Sequence, residues 1–258
     1  MQIEQCLLEI ISVLVVISTL SYTAWLDWKY RRVDNSIWAY PIGVGTVILL
    51  VRTYLSFEYL LLFFLSVGVT FLLVFTLFSI GVFGGADGKA LLATALVLPT
   101  TPTLIGDLQT LPIFSISLFD NMIILIAISS ILLLIWNIVR SAPTYSPFEG
   151  FRKEKTWRRI LTLFTCYRVS ISKIKHGGRI RIRETIKDND LYLKTFGESG
   201  SEDETSLVSL ESYKKKKGLQ QKVWVSSPVP LILFMLGGLI ISLTAGDIIL
   251  RIAYSLLA

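Results

Sequence analysis

The sequence predicts an all-α polytopic membrane protein, with six transmembrane helices and a small cytoplasmic, mainly-β (α+β) insert before the last helix. Hydrophobic residues make up 53% of the 258 residues, and the mean hydropathy is +0.63. This composition is too apolar for an ordinary soluble domain of that length. The apolar residues are gathered into long runs, and one polar, basic stretch separates the last run from the others.

Each predicted helix is one of these apolar runs. A helix needs about 20 mostly apolar residues to cross the hydrocarbon core, and shorter runs suffice where polar flanks reach the interface. The second and fourth runs are short, and Pro41, Pro99 and Pro102 mark helix starts, ends or kinks in or beside them. The six runs are residues 10–26, 37–51, 59–83, 90–105, 122–139 and 229–246.

The distribution of basic residues predicts the orientation, because Lys and Arg near membrane helices are retained on the cytoplasmic side. With the N-terminus outside, residues 28–36, 84–89 and 140–227 lie inside and hold 3, 1 and 19 of the 25 basic residues. We therefore expect a plasma-membrane protein with helices 1–5 in residues 1–139, a cytoplasmic domain in 140–227 and helix 6 in 228–258. Its net charge of +6 favours contact with anionic lipids over nucleic acid.

The cytoplasmic stretch predicts a small folded domain. "EKTWRRILTLFTC" is typical of a short amphipathic helix, lying either on the membrane or packed within the domain. "YRVSISKIK" and "RIRIRETI" flank "HGG" and predict a β-hairpin, and "KVWVSSPVP" predicts a last strand. The charged tracts "GESGSEDETS" and "KKKK" predict a mobile loop.

Metal chemistry finds little support in the sequence. Cys6 and Cys166 fall on opposite sides of the predicted membrane and cannot pair, and His176 is the single histidine. These residues are too few for a structural zinc site. We predict neither a metal nor another cofactor.

Carboxylates in or beside the predicted helices are the candidate functional groups, because ionisable side chains at membrane depth are costly. Asp27 ends the first helix and Asp87 opens the fourth, both at the inner face. The other acids belong to the outer side, so no competing inner pair exists in this topology. These outer acids are Asp107, Asp120 and Asp247.

Two neighbouring carboxylates cannot both ionise easily, so one holds a proton while the other stays charged. This asymmetry is the working state of an aspartic protease. Gly84 and Gly85 precede Asp87 and would let an extended peptide approach the main chain closely. The dipole of the following helix would favour the charged form of Asp87.

Other interpretations of these residues stay open at this level. Asp87 is equally expected as a helix N-cap, and Asp27, followed by "WKYRR", could form an interfacial ion pair. A Ser–Lys dyad of Ser79 and Lys89 is conceivable. A small transporter or channel would also use intramembrane carboxylates, and a scaffold protein would not need them.

The blocks around both acids carry a family resemblance. "LDWKYRRVDNSIW", "GGADGKAL" and "VWVSSPVPLI" followed by "GD" together resemble the archaeal preflagellin and prepilin peptidases, type III signal peptidases of the GxGD aspartyl protease class. The resemblance covers essentially the whole chain. It departs at Ala86, where the class has glycine, and we expect the loop of Gly84, Gly85 and Ala86 to tolerate the methyl group.

The resemblance implies a function. It identifies Asp27 and Asp87 as the catalytic pair of a membrane endopeptidase that cuts short basic leaders from preflagellin (archaellin) or prepilin precursors at the cytoplasmic face. Bacterial relatives add an N-terminal region with paired CxxC motifs and a methyltransferase activity. Because no CxxC occurs here, the resemblance favours a protease-only archaeal enzyme.

Overall fold

The computed structural model describes residues 2–103, 110–140, 148–151, 153–174, 180–187, 190–194, 204–226 and 229–257. The chain divides into two compact units. The helical unit comprises Met1–Ile126 and Pro230–Ala258, and the insert unit comprises Ala127–Val229. The predicted acid Asp107 and the single histidine, His176, lie outside the described residues.

Helices account for most of the described residues. A 3₁₀ turn over Asn35–Trp38 leads into the second helix. The helices are α1 (Gln2–Tyr30), α2 (Ala39–Leu55), α3 (Glu58–Ser79), α4 (Gly85–Val97), α5 (Phe114–Arg140), α6 (Thr156–Thr165), α7 (Glu204–Lys216), α8 (Leu231–Thr244) and α9 (Ile248–Leu257). The strands are β1 (Tyr167–Ser170), β2 (Arg181–Ile182), β3 (Glu184–Lys187), β4 (Asp190–Leu193) and β5 (Lys222–Ser226).

The predicted count of six spans is not confirmed. Among the described residues, four helices are long and apolar enough to cross a membrane, in α1, α2 with its 3₁₀ turn, α3 and α5. The pair α8 and α9, bent by 52°, raises the number to five if it forms one span.

The fourth predicted run is the main departure. Helix α4 has only 13 residues, which corresponds to about 20 Å. The chain leaves helical geometry after Val97, just before the first of two prolines, and Thr100 then pairs with Ile113 in an isolated antiparallel bridge. The predicted helix over residues 90–105 is therefore wrong from Leu98 to Thr103, because proline cannot continue a helix, and residues 104 and 105 lie outside the described residues.

Helix α4 is the central element of the helical unit. It packs against α1, α2, α3 and α8, and Ala90, Leu91 and Ala95 are completely buried. Small residues permit this close packing. At Gly88, a Cβ atom would lie only 2.7 Å from Cγ1 of Val74 on α3, so glycine is needed for the two helices to approach. The start of α4 is thereby held firmly among its neighbours.

The insert unit contains strands and helices, and its strand order differs from the sequence prediction. Strand β5 lies between β1 and β2 and pairs antiparallel with both, while β3 pairs with β4. The predicted hairpin is wrong, because the two segments that were expected to pair are separated by β5. The strand predicted in "KVWVSSPVP" is confirmed as β5, whose Val223, Trp224 and Val225 are buried.

Helices α6 and α7 complete the insert unit. The amphipathic helix predicted around residues 154–166 is confirmed as α6. The described part of the predicted mobile loop is instead helical, because α7 begins at Glu204 and includes three of the four lysines of "KKKK". Leu210 is buried and Lys214 forms a buried ion pair with Glu184, with 2.6 Å between Nζ and Oε2.

Burying this ion pair costs electrostatic free energy. Burial raises the pKa of Glu184 and lowers that of Lys214, because each charged form loses its hydration. The opposite charge of the partner and the N–H of Trp224, which donates to Glu184 Oε1 at 2.6 Å, offset part of the cost. Removing either charge alone would leave the other buried and uncompensated.

Candidate active site

Asp27 lies in the last turn of α1, where the chain makes a tight turn. The helix ends at Tyr30, and the next residue, Arg31, adopts a left-handed conformation with φ of 55°. Its N–H donates to the carbonyl of Asp27 at 3.1 Å, which is a common way to terminate a helix. The same turn directs the guanidinium back, so that Arg31 Nη1 lies 3.9 Å from Asp27 Oδ2.

Asp87 lies in the first turn of α4. Gly84, in extended conformation, is the N-cap, and its N–H donates to Asp87 Oδ2 at 2.9 Å. The carboxylate therefore caps the helix from its third residue. A Cβ atom at Gly84 would lie 3.0 Å from this oxygen, whereas Gly85 faces open space. The methyl group of Ala86 packs against the core, so the departure from the glycine motif is accommodated.

The two acids lie close enough for their charges to interact. Asp87 lies outside the candidate spans. Burial of its side chain raises its pKa from 3.8 to about 6. The hydrogen bond from Gly84 opposes this rise, the Asp27 carboxylate adds to it, and the Arg31 guanidinium opposes it. The structure thus brings together a carboxylate paired with arginine and a second carboxyl group whose pKa is raised above its usual value.

A side-chain contact joins the sequence blocks that carry these acids. Lys89 Nζ donates to Asn35 Oδ1 at 2.6 Å, which ties the N-terminal part of α4 to the segment after α1. Lys89 is therefore not placed to activate Ser79, whose hydroxyl donates to the carbonyl of Phe75 at 2.8 Å. The geometry gives no support to the Ser–Lys dyad.

A further acidic pair was missed by sequence reasoning. The carboxyl groups of Asp120 on α5 and Asp247, just before α9, interact with each other. Asp247 is completely buried, and its Oδ1 accepts the N–H of Leu250 at 3.0 Å. Asn121 donates to the carbonyl of Gly246 at 2.9 Å and accepts the N–H of Ile248 at 3.1 Å. These contacts fasten the break between α8 and α9, and the "GD" before α9 is the only sequence signal for them.

Metal ligation has no geometric support among the described residues, because no group of three His, Cys, Asp or Glu side chains is arranged to hold an ion. Two unequal carboxyl groups such as Asp27 and Asp87 can exchange protons with a bound water or peptide.

Comparisons with protein families identify the class of enzyme. A family model described as the type IV leader peptidase family matches residues 14–138, which include both acids. A second, described as archaeal peptidase A24 C-terminus type II, matches residues 158–248. No curated protein matches the chain. The resemblance inferred from the sequence is confirmed, since the two matches cover most of the chain. The chain is a multi-pass membrane protein and belongs to the type IV leader peptidase family, the aspartic-type prepilin peptidases.

Proposed function

We propose that Asp27 and Asp87 are the catalytic carboxylates of this peptidase. The single observation that carries the proposal is the electrostatic coupling of the two acids, one at the end of α1 and the other at the start of α4. Residues sixty positions apart in the chain thereby act on each other. Both lie within the segment that matches the type IV leader peptidase family.

The surroundings of the two acids suggest different roles. Arg31 Nη1 lies 3.9 Å from Asp27 Oδ2, which places a positive charge beside this carboxyl group. Burial and the Asp27 charge raise the pKa of Asp87 to about 6, so Asp87 holds its proton to a higher pH than an ordinary aspartic acid does. In this assignment Asp27 is the general base and Asp87 is the general acid.

Hydrolysis then follows the usual path for an unequal acid pair. Asp27 takes a proton from water as the water oxygen attacks the scissile carbonyl carbon, and Asp87 donates its proton to the carbonyl oxygen. The resulting diol collapses as the C–N bond breaks. The proton on Asp27 passes to the leaving amine, and a hydroxyl of the diol returns a proton to Asp87. The products are a carboxylic acid and an amine, and the enzyme regains its initial protonation.

The proposed substrates are preflagellin (archaellin), type IV prepilin-like precursors, or both. Each carries a short basic leader before a hydrophobic segment. Such a segment would lie in the membrane beside the helices and present its cleavage point near Asp27 and Asp87. The exposed Gly85, where a Cβ would meet nothing within 4 Å, leaves room for an extended peptide to approach the backbone.

We place this reaction at the cytoplasmic face, with the N-terminus outside. Support comes from the positive-inside rule, since the segments at the inner face of the predicted topology hold nearly all of the basic residues. A basic leader is retained on the same side for the same reason, so enzyme and cleavage point would meet there.

Cleavage of a precursor by the purified full chain in detergent tests the proposal. We expect one defined cut after the basic leader, lost in Asp27→Asn and in Asp87→Asn while both variants accumulate in membranes. Asp34→Asn is the matched control, because Asp34 is exposed and pairs with the exposed Arg32, with 3.6 Å between Oδ1 and Nε. Full activity in either of the first two variants would refute the assignment of the catalytic pair.

A further inference from the structure

The insert unit contains a basic cavity at the end of a candidate membrane span. Its volume is about 370 Å³, which lies within the usual range of ligand sites. The last turn of α5, strand β1, strand β5 and the turn after β1 form its walls. We propose that this cavity binds the headgroup of an anionic phospholipid.

Positive charge dominates the cavity. Arg140, Arg168, Lys173 and Lys222 line it, and no carboxylate does so among the described residues. The pairing of β1 with β5 creates this arrangement, because Arg168 lies opposite Trp224 and Ser170 lies opposite Lys222. Residues two apart in a strand share a face, so these side chains project together from one side of the sheet.

Arg168 is the most buried of these four cations, and the hydrogen-bonding capacity of its guanidinium is not fully used. Its Nε is buried without a hydrogen-bond partner among the described residues, and its guanidinium lies 5.9 Å from the Trp224 ring centre. Glu184 and Glu149 act on its charge, but Glu184 already binds Lys214 at 2.6 Å. Burial lowers the pKa of Arg168, and a phosphate oxygen would offset that cost.

The end of α5 that lines the cavity also carries exposed apolar side chains. Trp136 and Arg140 lie in the last turns of the candidate span, with the guanidinium 5.1 Å from the indole centre. Leu132, Ile135 and Val139, in the last turns of the same helix, are 50–78% exposed. This surface would carry the acyl chains of a lipid whose headgroup occupies the cavity, because Trp and Arg at the end of a span mark the membrane interface.

Helix α6 adds a second membrane-facing feature to the same unit. Asn137 on α5 donates to the carbonyls of Leu163 and Cys166 at 2.8 and 2.7 Å, which attaches the end of α6 to the span. Trp157 and Ile160 on α6 are each about half exposed. Exposed apolar residues on an amphipathic helix beside a span are typical of contact with lipid. Inorganic phosphate has no apolar part that could contact these surfaces, whereas a phospholipid has acyl chains.

Lipid titration of the purified full chain tests the proposal. The protein in neutral detergent is titrated with short-chain phosphatidylglycerol, short-chain phosphatidylcholine or inorganic phosphate, and tryptophan fluorescence reports binding. We expect saturable binding of phosphatidylglycerol only. Lys173→Gln/Lys222→Gln should weaken this binding roughly thirtyfold. Each lysine near anionic lipid contributes about 1 kcal/mol, and about 1.4 kcal/mol corresponds to a tenfold change in affinity.

The matched control removes two charges elsewhere in the insert unit. Lys215→Gln/Lys216→Gln changes exposed residues of α7 outside the cavity lining and should bind as the wild type does. Thermal unfolding checks that both double variants are folded, and Lys173→Gln alone replaces the cavity variant if it is not. Equal losses in both variants, equal binding of phosphatidylcholine, or saturable binding of inorganic phosphate would each overturn the proposal.

Discussion

Replacing Asp87 by asparagine should abolish cleavage and yet stabilise the protein at neutral pH. The pKa of Asp87 rises from 3.8 to about 6 in the folded protein, mainly through burial. Folding therefore favours the protonated acid. The stability associated with that proton is fully present below the unfolded pKa and is lost as the pH rises through about 6.

The magnitude follows from this difference in pKa. Each tenfold change in acidity is worth about 1.36 kcal/mol, so ionised Asp87 lowers the free energy of unfolding by at most about 3 kcal/mol. Asparagine resembles the protonated acid in shape, and its side-chain oxygen can still accept the N–H of Gly84. Asp87→Asn should therefore be more stable than the wild type at pH 7.5 and equally stable near pH 4.

Thermal unfolding in detergent at both pH values measures this effect, and precursor cleavage is assayed in parallel. Asp34→Asn serves as the control, because its side chain is 72% exposed and should show neither effect. A pH-independent difference, or an Asp87→Asn protein that is less stable than the wild type at pH 7.5, would refute the reasoning.

Three further predictions concern the residues around the site and the insert unit. Arg31→Gln should move the basic limb of the kcat/KM profile to higher pH, because the guanidinium lowers the pKa of the acid in α4. Gly88→Ala should cost roughly 1–3 kcal/mol of unfolding free energy, because the new Cβ would lie 2.7 Å from Val74 Cγ1. Gly85→Ala, which meets nothing within 4 Å, should cost less. Glu184→Gln should destabilise the insert unit by roughly 3–5 kcal/mol, because its buried lysine partner loses its counter-charge.

Each of these predictions has a contrary outcome. Cleavage rates between pH 5 and 9 would contradict the first if the basic limb of Arg31→Gln stayed in place or moved to lower pH. Equal unfolding midpoints for Gly88→Ala and Gly85→Ala would contradict the second. The third would be contradicted if denaturant unfolding of Glu184→Gln, followed by near-UV circular dichroism, gave a midpoint no lower than that of the wild type.

The apolar runs predicted most of the helical unit because hydrophobicity is a local property of the sequence. Runs one to three correspond to α1, α2 and α3, although the third helix ends at Ser79 rather than Phe83. The fourth run misled the prediction, since its apolar residues continue past Val97 while its prolines do not permit a helix. Apolar composition alone does not distinguish a buried extended segment from a helix.

The candidate site was predicted in part. Local sequence placed Asp27 at the end of one helix and Asp87 at the start of another, and the structure has both there. Sequence reasoning did not foresee that Gly84 would be the N-cap, or that Lys89 would bond Asn35. These contacts depend on loop geometry and on residues far apart in the chain, which a linear pattern does not specify.

By itself, the sequence determined the helical membrane class and the peptidase family, because long apolar runs and short motifs are properties of contiguous residues. Only the tertiary structure decided the order of β1, β5 and β2, the basic cavity beside α5 and the unequal surroundings of the two acids. Strand order and electrostatic environment arise from contacts between distant segments. Burial by those segments, more than local sequence, raises the pKa of Asp87.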